Sequence, residues 1–532
     1  MVVPGTLQHL LTTVAAQAPD RPACTLPSGP SRSLTYGDLQ EQSRRAASGL
    51  RRLGLTRGDR LGVWLPTVPE WLVLQFAAAQ LGVVVVAVNP RYRGKELLDV
   101  LGTSAATAVV LPTAFLEVDG PALLAEVAPQ LPALRSTVLL DLEPRGPLPT
   151  GLPGPLSYED LLRGDPLDGS AGTPEDLVAV FTTSGTTSAP KLAAHTQRAV
   201  ARHGENVAKA FDMRGGDTCA LTLPMAGVFG FSTAMGALAA GATLLMQPLF
   251  DAAELAGWLA EGRVTHLNAA DNMLTVVLDA LPEDRSRMRW RDGGFASFSG
   301  GGVDLVQRTE RLTGVRLTGL YGSSEGFALA ARWSPDLPAH DRARAGGVPV
   351  SAEIEVRAAD PNTGQALPDE QRGELQFRGY NICREYYANA VATAASRTSD
   401  DWFCSGDLGF TVIGGGFVYL SRLKDTLRLR GFLTDPAEIE EFLGTHPGVR
   451  LAQVVGATLP GRGDVAVAFV QPLPGVTLTA QEVQDHCRGR LADYKVPARV
   501  VVVDAFPTVS GPNGEKIQKN RLRQQAQALL DG

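Results

Sequence analysis

Cysteine, histidine and lysine are all scarce in this chain of 532 residues, and each scarcity excludes something. The five cysteines (positions 24, 219, 383, 404 and 487) include no CxxC pair, which speaks against a structural zinc site and for a reducing compartment. The seven histidines are dispersed, so their spacing offers no metal cluster. Positive charge is in deficit, and a formal net charge of −7 has the wrong sign for a nucleic-acid binder. The opening Met-Val-Val-Pro-Gly-Thr lacks a basic start followed by an apolar block, so no signal peptide is expected and the chain is assigned to the cytoplasm. Long apolar runs are also rare. The stretch 71–88 approaches membrane-span length but is interrupted by Gln75, Gln80 and Gly82. It reads as a helix to Leu81, a break at Gly82, and a buried strand at 83–88 stopped by Asn89-Pro90, since a β-branched run after glycine favours a strand. No membrane span is expected.

What is present is alternation. Short Val/Leu-rich runs, such as 60–65, 108–111 and 137–140, are separated by Ala/Leu/Arg helical stretches. This is the pattern of an α/β protein with layered, largely parallel sheets. The length calls for more than one domain. Proline-rich 144–155 reads as a surface excursion. The tail reads as a small α+β unit, with strands at 427–429, 451–456 and 465–470 and helices at 435–443 and 480–492. The boundary is placed at Lys424, giving a large domain at 1–423 and a small, mobile one at 424–532.

Only seven of the 49 basic residues are lysine: Lys95, Lys191, Lys209, Lys424, Lys495, Lys516 and Lys519. Where arginine is the default cation, each lysine is a candidate for work that needs a compact, flexible ammonium. Lys191 ends the segment Phe181-Thr-Thr-Ser-Gly-Thr-Thr-Ser-Ala-Pro-Lys191, which sets six hydroxyls around one glycine after an apolar strand. Hydroxyls, backbone N–H groups and an ammonium are what phosphate oxygens need. The GxxxxGK[ST] spacing is absent, so this is no P-loop ATPase. By itself the segment could also be a polar surface turn.

Further segments follow in order: Ser299-Gly-Gly-Gly302, Tyr321-Gly-Ser-Ser-Glu325, Ser405-Gly-Asp407, Arg422-Leu-Lys-Asp425 and Asn513-Gly-Glu-Lys-Ile-Gln-Lys519. Together with the hydroxyl loop they resemble the adenylate-forming superfamily of acyl-CoA synthetases, luciferases and peptide-synthetase adenylation domains, most closely the acyl-CoA synthetases. The resemblance extends from Leu34-Thr-Tyr-Gly37 to Arg523. It implies that Thr183, Ser184, Gly185, Thr186, Thr187 and Lys191 hold the β- and γ-phosphates of ATP. Gly300, Gly301 and Gly302 let backbone lie flat against adenine. Tyr321 stacks on adenine beside Gly322 and Ser323, Ser324 contacts the α-phosphate, and Glu325 ligates Mg²⁺. Asp407, with both carboxylate oxygens available, takes the ribose hydroxyls, while Arg422 reaches ribose and phosphates and Tyr419 lines the nucleotide.

The resemblance makes Lys516 the lysine that opposes charge on the α-phosphate and carboxylate oxygens as pyrophosphate leaves. Glu515 intrudes before it, and Lys519 is the runner-up, otherwise a surface charge. Lys424 falls at the hinge about which the small domain swings. At Arg430-Gly431 a residue without a side chain would let the pantetheine arm of coenzyme A pass. The phosphate loop departs from the usual Gly-x-Pro-Lys-Gly by carrying Ser188 and Leu192.

The acyl pocket is assigned to Gly227, Val228, Phe229, Asp271, Asn272 and Gly326. Gly227 stands where acyl-CoA synthetases often carry histidine or an aromatic, so space opens beside the reacting carboxylate. Asp271 and Asn272 would not line a dry alkyl pocket, because unpaired buried polar groups are costly. A bulky acid with some polar functionality, polycyclic, aryl or otherwise non-standard, is therefore expected over a plain fatty acid. His195 and His266 read as core or edge residues, since a carboxylate is already ionised at neutral pH and the chemistry needs no base.

The activity implied is an ATP- and Mg²⁺-dependent acid–thiol ligase acting on a carboxylic acid and coenzyme A. A separate carrier protein as acceptor and a non-catalytic adenylate-binding homologue stay open, as does a homodimer.

Overall fold

The apolar stretch at 71–88 divides where glycine permits. In the computed structural model, helix Pro69–Leu81 ends on Gly82 at φ +74°, and strand Val84–Ala87 follows. The Val83 amide donates to Ala78 O at 2.9 Å, closing the helix end with a wrapping bond. The helix is buried on all sides and the strand lies in the middle of a parallel sheet, which is why neither shows polar alternation. Among the described residues no helix is long and apolar enough to cross a membrane. Those residues are 3–27, 32–115, 118–142, 149–183, 190–297, 302–423, 427–429, 432–434, 436–459, 463–488, 490–491, 493–511 and 514–531.

Val84–Ala87 belongs to an eight-stranded sheet. Its order is Glu385–Tyr386, Leu192–Thr196, Leu177–Thr182, Val84–Ala87, Arg60–Val63, Ala108–Pro112, Ser136–Leu140 and Pro155–Ser157. All neighbours from Leu177–Thr182 onward pair in parallel, while the first two strands run antiparallel. The proline-rich excursion thus ends inside the sheet, with Pro155 opening an edge strand, a position that needs no ladder donor. A second sheet orders His266–Leu267, Thr218–Leu221, Thr243–Met246, Pro22–Leu26 and Arg32–Thr35. One continuous apolar core joins the two, with helices Pro69–Leu81 and Val228–Ala239 inside it. Phe231 meets Trp71 edge-on at 5.9 Å and Phe181 at 5.0 Å, so this core supports the strand that leads into the hydroxyl loop.

A nine-stranded sheet runs from Ala269–Ala270 through Gly294–Ala296, Thr318–Ser323, Phe327–Arg332, Gly346–Pro349, Gly416–Arg422, Phe403–Val412 and Gly373–Arg378 to Glu355–Ala359. It begins parallel and turns antiparallel after Thr318–Ser323. Among the described residues the strands from 427 onward pair only with one another. The long hairpin Val449–Leu459/Gly463–Pro472 carries Arg499–Val502 in parallel, over a separate core that includes Leu429, Ile439, Leu443 and Val483. The tail is α+β as expected, with helices Pro436–Gly444 and Lys519–Asp531. The expected helix at 480–492 stops at Cys487, because Arg488 turns to an extended conformation (φ −64°, ψ 135°). The boundary residue Lys424 lies outside the described residues.

Candidate active site

The neck of the hydroxyl loop is a hairpin. Strands Leu177–Thr182 and Leu192–Thr196 pair antiparallel, and the Thr183 amide donates to Lys191 O at 2.9 Å. Ser184, Gly185, Thr186 and Thr187 lie outside the described residues. The loop leaves from the carboxyl end of a strand in a parallel sheet, the edge where open α/β sheets place ligands. Lys191 is exposed, and its ammonium sits 4.5 Å from the centre of the Tyr386 ring.

The Tyr-Gly-Ser-Ser-Glu turn is brought to this neck. Ser324 Oγ donates to Thr182 O at 3.1 Å, and the Ser324 carbonyl accepts from His195 Nε2 at 2.8 Å. The Glu325 carbonyl accepts the Cys383 amide at 2.6 Å, and its Oε1 accepts the Tyr386 hydroxyl at 2.9 Å. Ser323 Oγ accepts the Gly326 amide at 3.0 Å, and Asn381 donates to the Gly326 carbonyl at 2.7 Å. A Cβ on Gly322 would lie 2.4 Å from Ala328 Cα, so no other residue fits there without movement. Phe327 and Leu329, both buried, hold φ of +60°, which costs on the order of 1–3 kcal/mol each and marks a turn fixed by its surroundings.

His195 is the core residue expected, with an added contact. It is fully buried and stacks on Phe327 at 3.9 Å, as His203 does at 4.9 Å. Burial lowers both imidazoles to about 4, so they are neutral at neutral pH. Nε2 of His195 is therefore the protonated nitrogen, and among the described residues Nδ1 is buried without a partner. His266 is satisfied on both sides, by Phe211 O and Thr265 Oγ.

Three residues before Ser324, Tyr321 donates to Asp407 Oδ2 at 2.6 Å, and Arg422 stands 3.0 Å from Oδ1 while donating to Ser405 O. The expectation that Asp407 offers two free oxygens is thus corrected for Oδ2, which Tyr321 occupies. Arg422 lies directly opposite Asp407 in the strand register and is ion-paired with Oδ1, which among the described residues accepts no hydrogen bond. Asp407 is 3% exposed, and burial pushes its carboxyl up to about 6 against the opposing pull of Arg422 and Tyr321. The Tyr321 ring stacks on Phe377 at 5.1 Å, meets Phe417 edge-on at 5.0 Å, and has Tyr419 at 5.9 Å. Gly302 opens helix Gly302–Thr313; Gly300 and Gly301 lie outside the described residues.

Gly227 is the residue before helix Val228–Ala239, and Val228 and Phe229 are buried in the core. Strands Thr218–Leu221 and His266–Leu267 are parallel neighbours, so the segments carrying Gly227 and Asp271 leave the same end of that sheet. The polarity argument for this wall needs correction. Asp271 Oδ1 accepts the Asn272 amide at 2.8 Å, Oδ2 accepts Ser297 Oγ at 3.4 Å, and Asn272 Oδ1 accepts the Met273 amide at 2.9 Å. The two Oδ1 atoms serve the first amides of helix Asp271–Asp279 and Oδ2 a neighbouring hydroxyl, so their presence does not by itself call for a polar ligand.

Of the small-domain residues, Lys424, Arg430 and Gly431 lie outside the described residues. Lys516 lies opposite Val509 in the hairpin Thr508–Gly511/Gly514–Ile517, its side chain outside the described atoms. Lys519 is more than a surface charge. Its ammonium lies 2.9 Å from Glu440 Oε1, which also accepts the Val454 amide at 2.8 Å, tying the last helix to Pro436–Gly444. Lys495 pairs with Glu438, which is also 3.8 Å from Arg372.

Among the described residues the second carboxylate oxygen of Glu325 has no partner. A half-exposed oxygen donor beside the hydroxyl-loop neck fits a magnesium ion. Sequence reasoning missed Tyr386 and His203. No spacing rule links residue 386 to 325; only the pairing of Tyr386 with Ala193 places it here.

Residues 11–387 match the AMP-binding enzyme family and residues 438–511 the AMP-binding enzyme C-terminal domain. The chain is 28% identical over 556 residues to a mitochondrial medium-chain acyl-CoA ligase of Danio rerio, covering 99% of this chain and 89% of that protein. Among solved structures, ATP-bound MatB from Rhodopseudomonas palustris superposes with a TM-score of 0.86 at 24% identity, covering 98% of this chain and 99% of that one. A fatty acyl CoA synthetase of Mycobacterium tuberculosis gives 0.71 at 25% identity, covering 99% of both. The chain belongs to the AMP-binding enzyme family and is an adenylate-forming ligase carrying that family's C-terminal domain.

Proposed function

We propose that this enzyme joins a carboxylic acid to coenzyme A in two steps. A carboxylate oxygen attacks the α-phosphorus of ATP, and the bond to pyrophosphate breaks, leaving acyl-AMP. The thiol sulfur of coenzyme A then attacks the acyl carbon, the bond to AMP breaks, and the thiol proton is lost to solvent. The observation that carries this reading is the Ser324 Oγ–Thr182 O hydrogen bond, which fixes the α-phosphate turn against the neck of the phosphate loop. Thr183, Ser184, Gly185, Thr186, Thr187 and Lys191 bind the β- and γ-phosphates. Gly300, Gly301, Gly302, Tyr321, Gly322, Ser323 and Tyr419 surround the nucleotide, and Asp407 and Arg422 take the ribose by exchanging their mutual contact for its hydroxyls. Glu325 would hold Mg²⁺, which when bound neutralises phosphate charge. Lys516 stabilises charge on the reacting oxygens, and the swing of residues 424–532 about Lys424 then brings coenzyme A past Arg430 and Gly431. The five free thiols, four of them buried, support a cytoplasmic enzyme.

For the acid, Gly227 supports a bulky aryl or polycyclic substrate, with Val228, Phe229, Asp271, Asn272 and Gly326 around it. A structural neighbour is an anthranilate CoA ligase in complex with anthranoyl-AMP, at TM-score 0.85 and 22% identity. The competing reading is a medium-chain aliphatic acid, which the name of the Danio relative favours. Pyrophosphate release over straight-chain, aryl and fused-ring acids decides between them. Comparable turnover of a straight-chain and a fused-ring acid contradicts the bulky-acid reading. Thioester formation with free coenzyme A against a phosphopantetheinylated carrier protein identifies the acceptor.

A further inference from the structure

Tyr386 stands between the two opposite charges that the proposed function assigns to ATP and its metal. The backbone puts it there. Strand Glu385–Tyr386 pairs antiparallel with Leu192–Thr196, Tyr386 opposite Ala193 and Glu385 opposite Ala194. The Tyr387 amide donates to Leu192 O at 2.7 Å and the Arg384 amide to Ala194 O at 2.9 Å, so the tyrosine is locked two residues from Lys191. From its other side the Tyr386 amide donates to Thr393 Oγ at 2.9 Å. The preceding Cys383 amide donates to the Glu325 carbonyl at 2.6 Å. The same short segment therefore grips both the phosphate-loop hairpin and the Ser324–Glu325 turn.

The side chain meets each charge with the half of its chemistry that suits it. The hydroxyl, a donor, goes to Glu325 Oε1 at 2.9 Å. The ring face, electron-rich, receives the Lys191 ammonium at 4.5 Å. Among the described residues no carboxylate pairs with Lys191. A direct Lys191–Glu325 ion pair would cancel the two charges that phosphate and magnesium need. A phenol between them satisfies both and leaves both uncancelled.

We propose that Tyr386 is a positioning residue that holds Lys191 toward the phosphates and Glu325 toward the metal while keeping the two from pairing. The proposal rests on the roles given above to Lys191 and Glu325.

Two variants separate its halves. Tyr386→Phe keeps the ring and removes the hydroxyl; Tyr386→Leu removes both. ATP binding is measured by titration calorimetry with EDTA and over a Mg²⁺ series, with Glu325→Gln as the reference and thermal melting as the control for folding. In Tyr386→Phe the metal-free ATP affinity stays within about twofold of wild type, while the Mg²⁺ concentration for half-maximal enhancement rises about fivefold or more, as expected for losing a hydrogen bond to a charged group. In Tyr386→Leu the metal-free affinity also falls, by about fivefold, and Tyr386→Phe is the conservative change that preserves it. If Glu325→Gln leaves the Mg²⁺ dependence intact, the metal role of Glu325 fails and the proposal fails with it. If Glu325→Gln removes that dependence and Tyr386→Phe leaves it at the wild-type value, the proposal alone is overturned. Should Tyr386→Leu not fold, Tyr386→Phe still decides, because phenylalanine fills the same space.

Discussion

The hydroxyl of Tyr321 donates to Asp407 across 2.6 Å, from the strand that ends at the Ser324–Glu325 turn to the strand that faces Arg422. This bond and Arg422 hold the carboxylate where two ribose hydroxyls are proposed to bind. Asp407 is poised at a cost, since its carboxyl is raised from 3.8 to about 6 in the fold, by burial first. A raised carboxyl contributes stability that is fully present below the unfolded value and is lost as pH rises through the folded value.

Asp407→Asn keeps an acceptor for Tyr321 and removes that titration. Its stability relative to wild type, from chemical-denaturation midpoints without nucleotide, is expected to improve by roughly 1 kcal/mol between pH 5 and pH 7.5. AMP affinity is expected to fall about tenfold or more over the same range. Parallel pH curves for the two proteins would contradict the buried, strained carboxylate.

His195 and His203 act with the opposite sign. Both are lowered from 6.5 to about 4, burial being the first cause, so the unfolded chain binds protons that the folded one refuses between those values. Stability is therefore full above 6.5 and falls as pH drops toward 4, by roughly 2 kcal/mol per histidine between pH 7.5 and pH 5. His195→Gln retains a donor for the Ser324 carbonyl and is expected to shrink the acid loss by about that amount. An unchanged acid loss would mean that His195 is not buried neutral.

Gly322→Ala places a methyl against Ala328 Cα and the Phe327 carbonyl, at a turn where Phe327 already holds φ of +60°. A denaturation measurement should show about 1–3 kcal/mol of destabilisation. Nucleotide affinity should fall with it, because Ser324 and Glu325 follow on the same turn.

Gly227 has φ −112° and ψ 147°, backbone that any residue adopts, so a side chain there tests space alone. Gly227→Phe is expected to lower kcat/KM for fused-ring acids by about tenfold, the price of overfilling a packed site, and to leave straight-chain acids within about threefold. Equal losses on both acids would remove the argument for a bulky substrate.

The ordered motifs were legible because each is a local string. The break at Gly82 was legible because a left-handed helix end leaves a glycine before a β-branched run. What sequence hid was what faces each string across the sheet. Arg422 opposite Asp407 takes an oxygen that the motif alone leaves free. Tyr386 and His195 reach the Ser324–Glu325 turn from strands 60 residues or more away along the chain, through register that no local pattern encodes. The Oδ1 atoms of Asp271 and Asn272 accept the first amides of a helix, a use that the local string does not show. Lys519 looked like a surface charge because its partner, Glu440, lies 79 residues earlier.

The most direct test of the ligase reading is pyrophosphate release driven by a cognate acid, in wild type, Lys516→Ala and Lys519→Ala. Wild type should release pyrophosphate only with acid present and should convert coenzyme A to a thioester. Lys516→Ala should lose ~10²–10³-fold of the release, as for one charge-stabilising group, while Lys519→Ala stays near wild type. Acid-independent release, no response to any acid, or full activity in Lys516→Ala would contradict the account.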